Sequence, residues 1–95
     1  MSAHAIPIAV IRLGRIVATP HALQSITQDD ILVAIGRHQA GDWGDVTTED
    51  REANNRAIVE GTRILSVYLA GNGTKFLLLT EADRSSTTVM LPEDY

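Results

Sequence analysis

The spacing of apolar residues changes at Gly61, and that change constrains the fold more than any other feature of the chain. Upstream, Ile31, Leu32 and Ile35, with Ala34 beside them, recur at helical spacing and mark the buried stripe of a helix ending near His38. Downstream the period is two: Ile64, Ser66 and Tyr68 point one way, and Leu65, Val67 and Leu69 the other. Helices followed by a run of strands predict an α+β domain rather than a βαβ alternation.

Local signals divide the chain further. Ile6 to Val10 and Arg15 to Thr19 are apolar and β-rich, with Gly14 between them, and read as two strands or one interrupted strand. Thr19-Pro20 opens a helix: a hydroxyl caps orphan amides and a proline is pre-set for the first turn. Thr27 with Asp30, and Thr47 with Asp50, repeat the start signal for a second and a third helix. Gly41 and Gly44 stop the second, and Gly61 is the natural C-terminal cap of the third. Ala70 to Thr74 is a hairpin loop, Phe76 to Leu79 a central strand, and Thr87 to Leu91 the last strand before Pro92. The expected architecture is an N-terminal strand or strands, three helices, then a three-stranded antiparallel meander, with the helices on one sheet face. Leu65, Val67, Leu77, Leu79 and Val89 are expected in the core, against Ile31, Leu32 and Ile35.

Size and composition bound the function. The 95 residues make one domain, 1–95, that buries roughly 60–65% of the unfolded surface. Without cysteine there are no disulfides, thiolate ligands or cysteine nucleophiles, which fits a reducing cytoplasm. No apolar run approaches the roughly 20 residues of a membrane span, and Ala5 to Leu13 reads as a strand rather than a signal peptide. A net charge of −4 gives no broad attraction for phosphate backbones, so nucleic acid is disfavoured as a partner.

Two polar clusters carry the chemistry. Arg37 to Asp45 holds the single tryptophan and a mid-chain histidine, and Thr80 to Thr88 holds an arginine among carboxylates and hydroxyls. His38 follows the last helical turn, where it caps the helix, serves as a general acid or base, or contacts a phosphate. One histidine with Asp42 does not match a zinc site, so no metal is expected. Trp43, between two glycines, is either a plug over the helix–sheet seam or an interface anchor. Asp42 and Asp45 suit turn and helix caps. Arg84 either meets a carboxylate (Glu81, Asp83 or Asp42) or, with Ser85, Thr87 and Thr88, surrounds an anion that Tyr68 and Arg63 help to enclose. The economical arrangement brings the Arg37–Asp45 loop beside the Thr80–Thr88 connection, with Arg84 on Asp42 or a neighbouring carboxylate and Trp43 shielding the pair. No phosphate-binding, dinucleotide, metalloprotease or serine-hydrolase motif occurs, and no cofactor is implied.

From Gly14 to Tyr95 the chain resembles a family of small proteins encoded on bacterial plasmids and integrative elements. The resemblance rests on Ala18-Thr19-Pro20, the R-H-x-x-G-D-W-G-D run of Arg37 to Asp45, Glu49-Asp50-Arg51 with Asn54, Gly61 to Tyr68, and the T-E-A-D-R-S-x-T-T run within Thr80 to Tyr95. Some members carry the label of a type I restriction endonuclease subunit M, but this chain is too short for a methyltransferase and has no methyltransferase glycine loop. The resemblance implies a mobile-element setting and supplies no activity.

Two functions follow as expectations. The first is a cytoplasmic accessory protein that binds another protein. The second is a metal-independent endoribonuclease, with His38 as base and Arg84 as the phosphate-binding cation, by analogy of architecture with small toxins. A homodimer is also expected, paired through Ile6 to Val10 across a two-fold axis.

Overall fold

The computed structural model describes residues 9–95. The elements run β1 (Arg15–Ala18), α1 (Pro20–Ser25), α2 (Gln28–Gln39), α3 (Thr48–Glu60), β2 (Ile64–Leu69), β3 (Lys75–Thr80) and β4 (Ser86–Met90), followed by a 3-10 turn at Pro92–Asp94. Strands β2, β3 and β4 form an antiparallel meander, and β1 adds to β4 in parallel, giving the order β1-β4-β3-β2. The fold is α+β, with a mixed sheet because the first strand enters beside the last. The expected strand at Ile6 to Ile8 lies outside the described residues, and Ala9 and Val10 are not in a strand.

Each helix begins on a threonine. Thr19, Thr27 and Thr47 accept through Oγ1 from the amides of Ala22, Asp30 and Asp50 at 3.1, 3.2 and 3.1 Å, satisfying one orphan donor each. α2 ends in a Schellman motif: Asp42 N–H reaches Arg37 C=O at 2.8 Å and Gly41 N–H reaches His38 C=O at 3.1 Å. Gly61 ends α3 in the left-handed region at φ 73°.

The inward stripe of α2 is Ile31, Ala34, Ile35 and His38, of which Ala34 and His38 are fully buried. Leu32, expected in that stripe, is 56% exposed, because helical geometry places it off the face that contains His38. The helix-facing side of the sheet carries Ile64, Ser66 and Tyr68, with Phe76, Leu78 and Val89. Leu65, Val67, Leu77 and Leu79 instead gather with Met90 as a separate cluster on the other face. Only Val89 of the expected set lies against Ile31 and Ile35. Ser66 and Tyr68 gave the inward face of β2 the more polar look, yet both are buried.

The outer edge of β2 is closed by two devices. Asn54 of α3 pairs its amide with Leu65, donating to C=O at 2.9 Å and accepting from N–H at 3.3 Å. Beyond it, Val67 N–H meets Trp43 C=O at 3.0 Å and Asp45 N–H meets Val67 C=O at 2.7 Å. Gly44 lies between, at φ 76°, and a Cβ there would sit 2.0 Å from Val67 O. Only glycine allows this approach.

Candidate functional site

The two polar clusters meet inside the protein, through side chains on three strands and one helix. His38, with no exposed surface, reaches Ser66 on β2 through Nδ1 and Thr80 on β3 through Nε2, the latter at 2.8 Å. Thr80 Oγ1 lies 2.7 Å from Thr87 Oγ1 on β4, and Thr87 donates to Leu13 C=O at 2.8 Å.

That last bond fixes the direction of the whole chain. Thr87 gives its only proton to a carbonyl, so Thr80 must donate to Thr87, and the imidazole must donate through Nε2 to Thr80. A neutral His38 then accepts from Ser66 at Nδ1. Burial, helped by the positive charge of Arg84, pushes the His38 pKa from 6.5 down to about 4, so the ring is neutral near pH 7. No buried side-chain nitrogen or oxygen among the described residues lacks a partner.

Trp43 closes the outer side of this network. Its ring packs edge-on against His38, centroids 5.7 Å apart at 76°, and its Nε1 donates to Asn55 Oδ1 at 2.9 Å. At 3% exposure it is the plug at the helix–sheet seam.

Arg84 does not meet Asp42, nor any other carboxylate among the described residues. Its guanidinium donates to the carbonyls of Ala57, Thr62 and Glu81 at 2.9, 2.6 and 3.2 Å. Ala57 lies in the last turn of α3, whose carbonyl ends favour a cation. A planar fork with several N–H groups suits this role. Arg84 is also the one non-glycine residue with positive φ among those described, at 61°. Asp83 accepts from Ser85 N–H at 3.0 Å and shapes the same turn, while Glu81 and Ser85 face solvent.

Asp42 pairs with Arg37 instead, in a fork of 2.7 and 3.3 Å that lowers the Asp42 pKa and raises that of Arg37. The Arg37 guanidinium also stacks on Tyr68 at 4.7 Å. Tyr68 is 2% exposed, donates to Asp42 C=O at 2.6 Å, and has its pKa pushed up to about 12 by burial.

The clusters therefore join through His38, Thr80 and Thr87, not through Arg84 and Asp42. Ser85 is on the surface while His38 and Thr87 are inside, so these residues line no common open cleft. A general base needs hydrogen-bond reach to a substrate proton, and both His38 nitrogens face protein hydroxyls. Sequence reasoning missed Ser66 and Thr80 as its partners. The available signal was hydroxyl residues at inward positions on otherwise apolar strands, together with His38 seven residues after Ile31 on the α2 stripe.

An open concavity lies elsewhere, between α3 and the outer face of β2. It is a groove of about 340 Å³ with Val46, Ala53, Leu65 and Val67 as apolar lining, and Asp50, Asn54, Arg63 and Tyr95 as polar or aromatic lining. Among the described residues no cluster of histidines and carboxylates could hold a metal ion, and no helix is long and apolar enough to cross a membrane. No protein-family model, curated protein or solved structure matches this chain.

Proposed function

We infer that the protein is a non-catalytic interaction protein whose polar clusters hold its fold together. The observation that carries this reading is the occupancy of His38 and Arg84. The imidazole is enclosed with both nitrogens bonded, and the guanidinium is bound to three backbone carbonyls. Neither group is presented to a ligand, and the net charge of −4 disfavours a nucleic-acid substrate. The endoribonuclease reading needs His38 within reach of a 2′-hydroxyl, and the burial of the ring argues against it. The resemblance in sequence adds only the setting, a bacterial mobile element; the cytoplasmic location, the protein partner and the homodimer are read from composition and the exposed sheet edge.

The test is an RNA-cleavage assay in metal-free buffer, run beside thermal melts of wild type, His38→Gln and Arg84→Ala. The reading expects no cleavage by wild type and lower melting temperatures for both variants. Cleavage that disappears in the two variants while their melting temperatures stay unchanged would overturn it.

A further inference from the structure

We propose that the groove between α3 and β2 binds an extended, amphipathic segment of a partner protein, with an acidic side chain at its Arg63 end and a basic one at its Asp50 end. The proposal rests on the interaction reading above and names the partner's chemistry. Leu65 and Val67 project into the groove from one face of β2, and Leu69, 59% exposed, continues the same row. Val46 and Ala53 supply apolar surface across from them. The volume of about 340 Å³ lies at the small end of the range for ligand pockets.

Charge gives the groove a direction. Arg63 is exposed and pairs with no carboxylate among the described residues, while its guanidinium rests 5.5 Å from the centre of the Tyr95 ring. Asn54 sits opposite Leu65. Asp50 lies one helical turn before Asn54, whereas Arg63 lies two strand residues before Leu65, so the two charges mark opposite ends. One turn of helix and two strand residues sum to about 12 Å, the reach of about four extended residues. Main-chain pairing is closed at this point, because the edge groups of Leu65 and Val67 are taken by Asn54, Trp43 and Asp45. Recognition must therefore run through side chains, not through strand addition.

The experiment titrates the ¹⁵N-labelled full chain with acetyl-Glu-Leu-Val-Lys-amide and with its Gln-Leu-Val-Lys counterpart, up to about 1 mM peptide. The expected result is saturable shifts at the amides of Leu65 and Val67 with the glutamate peptide, and binding about tenfold weaker with the glutamine peptide or with Arg63→Gln. Arg63→Glu, whose folding the same spectra report, should reverse the preference toward a peptide carrying lysine in place of the glutamate. Equal affinity for the two peptides, indifference to Arg63, shifts confined to another surface, or no saturable shift would each overturn the proposal. None of these outcomes touches the non-catalytic reading, which the RNA-cleavage assay and the thermal melts test separately.

Discussion

Arg84 is the residue at which stability and apparent function are most easily confused. Its side chain crosses from the β3–β4 turn to the end of α3 and ties two elements that share no covalent neighbour. The backbone adopts φ 61° there, a conformation that costs a non-glycine residue about 1 kcal/mol or more. Hydrogen bonds from a charged donor are worth about 1.5–3 kcal/mol, which offsets that cost. Arg84→Ala should therefore destabilise by about 2–3 kcal/mol, a drop of about 10–15 °C in melting temperature for a domain of this size. Arg84→Lys should recover only part of the loss, since an ammonium cannot span the same carbonyls. Calorimetry on the two variants checks both. In the sequence, the carboxylates around Arg84 pointed toward an ion pair. The partners turned out to be backbone carbonyls, which have no residue-type signature.

At the scale of elements, what was local was legible. Thr19, Thr27 and Thr47 mark helix starts because a cap bonds an amide three residues on, and Gly61 marks an end because few other residues adopt its φ. The alternation in β2 was equally plain. Which of its faces meets the helices was not, because both faces carry apolar side chains and Ser66 is satisfied by a histidine 28 residues away. The edge of β2 depends on Gly44 in the same non-local way, through the carbonyl of Val67. Gly44→Ala should cost at least about 2 kcal/mol and loosen the Trp43–Asp45 pairing. Hydrogen exchange at the Val67 and Asp45 amides, which are protected in this pairing, should accelerate more than exchange at Leu78.

For the molecule as a whole, the buried network makes stability depend on pH through one group. His38 has a pKa of about 4 when folded, against 6.5 for the free side chain. The unfolded chain takes up a proton as pH falls below 6.5, and the folded protein does not until about 4. Stability is thus fully present above about pH 6.5 and is lost progressively as pH falls toward 4, by about 3 kcal/mol in total. The carboxylate of Asp42, held low by Arg37, adds its own loss only at more acid pH. In His38→Gln the slope between pH 6.5 and 4 should flatten, from a lower starting stability.

The central claim, that His38 is a neutral core residue rather than a surface base, is tested most directly by ¹⁵N NMR of its imidazole. The account predicts a single Nε2–H tautomer at pH 7, slow exchange of that proton with water, and no titration until about pH 4. A ring that titrates near 6.5, or that carries its proton on Nδ1, would contradict it.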